Sequence, residues 1–358
     1  MPCSPTGSFR ARLGRFTCEA VTFKKLKIAV VGAGITGLWQ AFTLACRGHA
    51  VHLIEQTVTP FTNTASQFAG AMLAPYCERE GSEAIVQELG LRALDIWTRT
   101  CPAVVSNGTL VLAQPRDRGE LLRFALQTEG HRRIDAAQIA ELEPDLGGRY
   151  AEGLLYPCEA HVEPGNALAF LLERIRRLGA EVSFGRTSTG AESDYTIDCS
   201  GLAARKDLDS LRGVRGERVV VQTREVNLSR TVRLLHPRFP LYVVPWGAGM
   251  YVLGATVIET EDAGPVTLRS ALDLLGAAYT LHPAFGEARV VGLDAGVRPA
   301  FPDNVPRIEV RDRRIFVNGL YRHGFLLAPV LAEIVADCLE RGVAPHRLIV
   351  GGTAGMSA

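Results

Sequence analysis

The sequence contains no pair of cysteines at metal-site or redox-motif spacing. Its eight cysteines, at positions 3, 18, 46, 77, 101, 158, 199 and 338, never form Cys-x-x-Cys. That argues against a zinc ribbon or a disulfide framework and reads as the reduced thiols of a cytoplasmic protein. No apolar run reaches the ~18 residues a membrane span needs. Neither sign of charge is in excess: 39 Lys and Arg stand against 38 Asp and Glu. The formal net charge of +1 gives no reason to expect a nucleic acid or an anionic membrane as partner. Internal repeats, low-complexity tracts, Gly-x-Ser-x-Gly and His-Glu-x-x-His are missing as well, which removes the signatures of a serine hydrolase and of a zinc protease. His49 and His52 flank an apolar run and read as packing or surface groups, so no metal site is expected.

What remains is an ordinary globular composition. The 358 residues are 47% hydrophobic and 22% charged, enough for two domains, interleaved or in series. Residues 1–26 stand apart, with Arg10, Arg12, Arg15, Lys24 and Lys25 against one acid, Glu19. They contain no apolar stretch of the secretory kind, so a disordered extension is expected, with a transit peptide as the alternative. The tail, 346–358, ends in "GGTAGMSA" and reads as floppy.

The strongest local signal is "LKIAVVGAGITGLWQAFTLACRGHAVHLIEQ". A short strand, Lys27–Val31, runs into Gly32-x-Gly34-x-x-Gly37; a helical pattern follows to Arg47 and is closed by Gly48. A second strand then ends in Glu55, eighteen residues after Gly37 (55 − 37). Gly32 allows the tight turn, Gly34 lets backbone approach a pyrophosphate, and Gly37 lets helix pack on strand. The helix N-terminus faces the phosphates, and Glu55 accepts from ribose hydroxyls. An acid at 55 argues against a ribose 2′-phosphate. No second fingerprint follows, because Gly247-Ala-Gly249 lacks the third glycine. One nucleotide site fits either a nicotinamide dehydrogenase or a flavoenzyme reduced directly by its substrate.

Four further blocks decide between these. "NTASQFAGAMLAPYCERE" (63–80), "YVVPWGAGMYVLGAT" (242–256), "GVRPAFPDNVPRI" (296–308) and "GLYRHGFLLAP" (319–329) resemble, in this order, the D-amino-acid oxidase-like FAD oxidoreductases, and among them the glycine oxidases of thiamine biosynthesis. The resemblance runs from Lys27 to about Leu339. It implies an α/β fold: a discontinuous Rossmann-type FAD domain (27–84, 159–211 and 291–345) with an interleaved antiparallel-sheet substrate domain (85–158 and 212–290). It implies FAD contacts at Ile35, Thr36, Glu55, Gln56, Ala65, Ser66, Gly70, Ala71 and Met72, and a run from Leu320 through Tyr321, Arg322, His323, Gly324 and Phe325 to Leu326 that closes over the flavin. Arg298 and Arg322 would bind a substrate carboxylate, with Tyr242 beside them.

The activity implied is oxidation of glycine to its imine, with O₂ reduced to H₂O₂ and the imine feeding thiazole assembly. A sarcosine or D-amino-acid oxidase is the rival of the same fold, and a flavin-binding module without turnover is the rival of another class. The partners implied are a small amino acid, O₂ and further copies of the chain, tetramers being common in the family. Three positions depart from the family pattern: Ala71 for Gly, Trp246 for Arg and His323 for Asn. Some relatives tether FAD through a cysteine in the C-terminal half. Here none lies between Cys199 and Cys338, so the FAD is expected to be non-covalent.

Near the C-terminus, Pro329 suits the first position of a helix. Leu331, Ile334, Val335, Cys338 and Leu339 then follow a helical stripe that Arg341 and Gly342 end. The N-terminus of that helix would emerge at the flavin and stabilise negative charge there. Arg322, just before it, is read as free to meet an anionic substrate, against the alternative of a surface ion pair. Arg298 sits in "LDAGVRPAFPDN", read as a loop pinned by glycines and prolines. Its planar fork matches a carboxylate, against the alternative of an interdomain structural arginine. Asp198, at the end of the strand in "DYTIDCSGLAAR", is read as structural.

Overall fold

A computed structural model describes residues 24–62, 64–188, 192–238, 240–342 and 346–351. The expectations for residues 1–23 and 352–358 lie outside the described residues. Lys27–Val31 and Ala50–Glu55 form adjacent parallel strands on either side of the helix Ile35–Cys46. They lie in a seven-stranded sheet, in the order Ile349–Val350, Arg307–Arg311, Arg314–Asn318, Tyr195–Asp198, Lys27–Val31, Ala50–Glu55, Glu181–Phe184. The five strands from Arg314–Asn318 to Glu181–Phe184 are parallel to one another, and Arg314–Asn318 pairs antiparallel with Arg307–Arg311. The runs rich in β-branched residues account for this, since such a sheet is covered on both faces and its strands need apolar side chains throughout. Helix Pro164–Arg177 buries Leu168, Leu171, Leu172 and Ile175, the face its spacing marks, with Ile35–Cys46 packed beside it.

The second sheet has eight strands, in the order Arg289–Ala300, Arg212–Gln222, Met250–Gly254, Leu241–Gly247, Thr231–Leu235, Thr109–Ala113, Glu152–Tyr156, Arg132–Asp135. It is antiparallel except where Thr231–Leu235 runs parallel to Thr109–Ala113. Helix Leu268–Leu281 covers one face, burying Leu274, Ala278 and Leu281 with Val219, Val221 and Leu253. The sequence "GAG" at 247–249 is the turn of a hairpin, all three residues having positive φ.

Three local expectations need correcting. Arg298 is not in a loop: it lies in the twelve-residue strand Arg289–Ala300, paired along its length with Arg212–Gln222. The strand is at the sheet edge, where Pro299 can forgo an N–H without breaking a ladder, so the glycines and prolines misled. Residues 291–300 accordingly belong to the eight-stranded sheet and not to the nucleotide-binding segments. In the other direction, helix Ala84–Thr100 buries Val86, Leu89, Ala93, Leu94 and Trp97 in the core of the nucleotide sheet.

Pro329 is not at the helix start. The helix runs Gly324–Arg341, and Pro329 is its sixth residue. A proline there leaves the carbonyl four residues back without its usual N–H. That carbonyl belongs to Phe325, and it accepts instead from Trp97 Nε1 at 2.6 Å. The indole stacks on Phe325 at 6.2 Å and meets Trp39 edge-on at 4.8 Å. The far end of the helix is as expected, with Gly342 at φ 81 after Arg341.

Candidate active site

One cavity of 1510 Å³ lies between the two sheets, larger than the ~300–1,000 Å³ of an ordinary small-molecule site. Every residue assigned from sequence to FAD or substrate contact lines it except Gly37, whose role is packing: a Cβ there would stand 1.8 Å from the carbonyl oxygen of Gly32. Gly32 has φ +98, and its own Cβ would strike the carbonyl oxygen of Cys199 at 2.6 Å. The turn is therefore open only to glycine, and it points the N-terminus of helix Ile35–Cys46 into the cavity.

Glu55, 6% exposed, binds this turn to the second strand. Its Oε2 accepts from Ala33 N at 2.8 Å and its Oε1 from Thr57 N at 3.0 Å. A carboxylate offers about four acceptor sites, so capacity remains for ribose hydroxyls. Ser66 Oγ accepts from Ile35 N at 3.0 Å and lies 3.3 Å from where a Gly34 Cβ would be, bringing the 64–72 loop close to the phosphate end. The cradle fits a dinucleotide.

At the other end, Gly324–Arg341 also opens into the cavity, with no side chain capping its N-terminus. Two helix N-termini thus favour negative charge in one cavity. Tyr321 (φ 50) and Ala71 (φ 51) both hold left-handed backbone. Such a conformation costs a residue with a Cβ roughly 1–2 kcal/mol, so Ala71 keeps the backbone of the usual glycine under strain. Its carbonyl accepts from Val162 N at 3.1 Å.

The eight-stranded sheet is the roof. Arg298 is half-buried, and burial lowers its pKa. It makes no ion pair among the described residues, and its guanidinium donates from Nη1 only to the carbonyls of Arg215 (3.4 Å) and Thr256 (3.3 Å). Gly216, on the next strand, leaves the space that guanidinium occupies, since a Cβ there would lie 2.0 Å from Nη2. The Tyr242 ring is held between Gly70 and Gly254, whose Cβ atoms would approach it to 2.8 and 2.4 Å. Burial raises its phenol pKa, against the lowering effect of Arg298, Arg218 and Arg322, so it is a neutral hydroxyl at pH 7.

Sequence reasoning missed Glu78 and Arg233. Glu78 ends the short helix Pro75–Glu78 and is 8% exposed. It pairs directly with Arg233 of the strand Thr231–Leu235, and with Arg322 at 3.6 Å and His323 Nδ1 at 3.4 Å. Burial pushes its carboxyl up, but Arg322, Arg233 and His323 outweigh that and hold it at about 2. Burial pushes His323 down to about 4, so it is neutral at pH 7. Arg322 therefore faces Glu78 as well as the cavity, at a distance beyond hydrogen-bond length. Three arginines (298, 322 and 233) against Glu78 leave a net charge of 3 − 1 = +2, suited to an anion. Nothing in the sequence pairs positions 155 residues apart (233 − 78).

The other flagged positions have structural partners. Trp246 lies under the Arg218 guanidinium at 5.1 Å, with Phe68 at 5.6 Å, and Arg218 is paired with Asp294 at 3.0 Å. Asp198 accepts from Ser200 N at 3.0 Å and pairs with Arg314 at 2.6 Å. His49 and His52 meet Glu340 and Ser183 at 3.2 and 2.9 Å. Among the described residues no group of acids, cysteines and histidines could hold a metal, and no helix is long and apolar enough to cross a membrane.

The similarities to known proteins agree with this geometry. The model of the FAD dependent oxidoreductase family matches residues 27–338. A Rhizobium etli protein named as a thiamine biosynthesis oxidoreductase, ThiO, is 49% identical over 326 residues, covering 90% of this chain and 99% of its own. The glycine oxidase of Geobacillus kaustophilus is 28% identical, with 88% and 93% covered. The crystal structure of glycine oxidase from Bacillus cereus superposes with a TM-score of 0.78 over 90% of this chain and 99% of that one, at 23% identity, a likeness of fold. The fold, the glycine cradle and the two-helix cavity thus have one explanation: the chain belongs to the family of FAD-dependent oxidoreductases.

Proposed function

We propose that this FAD-dependent amine oxidoreductase oxidises glycine to its imine, with O₂ as the final acceptor, and supplies that imine to thiazole assembly in thiamine biosynthesis. Glycine and O₂ give the imine and H₂O₂; water then converts any released imine to glyoxylate and ammonia. The observation that carries the reading is Arg298, a half-buried guanidinium lining the cavity that meets only backbone carbonyls, with no acidic partner among the described residues. A cation withdrawn from water needs an anion, and its fork matches a carboxylate. The likeness to the Rhizobium ThiO supports the pathway.

Bound FAD supplies a two-electron acceptor for the substrate's Cα–H. The residues of this chain do the rest. Arg298 and Arg322 would fix the carboxylate from roof and floor, and two fixed points aim the Cα between them. Tyr242, a neutral hydroxyl, would orient the carboxylate or amine. His323 is neutral at pH 7 and adds no charge to oppose a substrate amine. No nucleophile is required.

The test is anaerobic mixing of the purified protein with glycine, sarcosine, D-alanine and D-proline. Glycine is expected to bleach the flavin band without a nicotinamide, and air to restore it with release of peroxide. Bleaching by NADH but by none of the four would overturn the reading. The FAD is expected to be non-covalent. Cys199, which lines the cavity beside Gly32, is buried with its thiol pushed well up, and Cys338 is buried in the helix core. Acid precipitation should leave the yellow colour in the supernatant, and a yellow washed pellet would contradict this.

A further inference from the structure

We propose that Arg233 is a positioning residue for the substrate carboxylate: it holds Glu78 from behind and so leaves Arg322 to the cavity. This rests on the amino-acid reading of the site. The contacts divide by oxygen. Arg233 Nη2 takes Glu78 Oε1, while Arg322 and His323 both face Oε2 at 3.6 and 3.4 Å. The first is direct contact; the second is beyond hydrogen-bond length. Arg322 thus keeps its donors, and its side chain stays 36% exposed, whereas Arg233 is buried with Nε unpaired and Nη2 3.9 Å from the Met72 sulfur.

The other titratable groups around Glu78 come from four elements. Cys77 precedes it on the same helix. Glu159 accepts from Cys77 N at 2.7 Å. Tyr242 and Arg298 face it from the roof. Burial pushes both Cys77 and Glu159 up, and Arg233 opposes that shift at each. A buried carboxylate here competes with the substrate carboxylate for one guanidinium. With Arg233 in contact, Glu78 is satisfied; without it, Glu78 would draw Arg322 in and occupy its fork.

The probe is methoxyacetate, a carboxylate with no amine to oxidise, titrated calorimetrically into FAD-loaded protein at pH 8 and pH 5. The parent should bind it about equally at both. Arg233→Met should bind it about tenfold or more weakly at pH 8. Losing an opposite charge raises a carboxyl by about 1–3 units. Arg322, 36% exposed, replaces the buried Arg233 only in part against the upward push of burial, so Glu78 rises from about 2 toward pH 5. Protonation there frees Arg322, so the variant should regain affinity at pH 5. The double variant Glu78→Gln/Arg233→Met, which removes both charges together, should bind at least as tightly as the parent at pH 8. A purely structural Arg233 would show neither the pH-dependent recovery nor the rescue.

Binding by Arg233→Met within about twofold of the parent at pH 8 would overturn the proposal, as would equal weakness at both pH values. If that single variant fails to fold, the double variant decides: a tenfold loss in it also overturns the proposal. Failure of the parent to oxidise any amino acid on the panel would instead sink the proposed function, because methoxyacetate binding is read without turnover.

Discussion

Arg298→Ala should keep its fold and its FAD and lose its amino-acid substrate. The residue lies on the roof strand, which meets the 64–72 loop at Gly296, against Phe68. The Arg298 guanidinium itself bonds only the carbonyls of Arg215 and Thr256, so its loss leaves the glycine turn and Glu55 in place. Removing one partner of a buried ion pair costs roughly 3–5 kcal/mol. Arg322 and water entering the gap left beside Gly216 should hold the loss near the lower figure, about 10²-fold in kcat/KM. The carboxylate also aims the Cα, so kcat should fall with kcat/KM, as when an interaction made in the transition state is removed. Arg298→Lys should recover only part, since an ammonium cannot present two parallel donors. Steady-state turnover and a glycine titration of the flavin spectrum check both. Turnover within about threefold of the parent would make Arg298 structural and leave Arg322 as the anchor.

Gly37→Ala should act at the opposite end and through a different cause. Its new methyl would stand 1.8 Å from the Gly32 carbonyl oxygen and 3.4 Å from Cys199 Cβ. The first contact is with backbone, which cannot swing aside, so helix Ile35–Cys46 must back away from the strand Lys27–Val31. Overpacking of this kind costs about 1–3 kcal/mol or more. The shift would also move the helix N-terminus that opens into the cavity and strain the Ile35 N–H bond to Ser66 Oγ. The expected result is a protein that purifies colourless, or retains FAD at least about tenfold more weakly, with a lower melting temperature. A yellow Gly37→Ala protein with the parent's melting temperature would show that the helix–strand contact tolerates a methyl.

What the sequence made legible was local. The turn Gly32–Gly37, both strands around it and the stripe on Pro164–Arg177 each depend on residues within a few positions, and their periodicities survive folding. The roof was harder to read. Gly292, Gly296 and Pro299 resemble turn signals, but an edge strand tolerates them because half its ladder is unpaired. Hardest of all was the Glu78 cluster. Its four members come from a short helix, a roof strand and the turn before the last helix, and burial creates the need for pairing. Ion pairs between distant segments carry no period, so Arg322 looked unclaimed until Glu78 was placed opposite it.

Pro329 and Trp97 have a consequence for inheritance. The proline leaves the Phe325 carbonyl without its helical donor, and the indole of a neighbouring helix supplies the replacement. Trp97 is then not interchangeable while Pro329 stands. Phenylalanine at 97 would strand a buried carbonyl at a cost of about 1–3 kcal/mol. An ordinary residue at 329 would return a helical donor to that carbonyl and make the indole bond redundant. Replacement of Pro329 should therefore come before replacement of Trp97 across descendants of this chain, although the two lie in helices that share no sequence pattern.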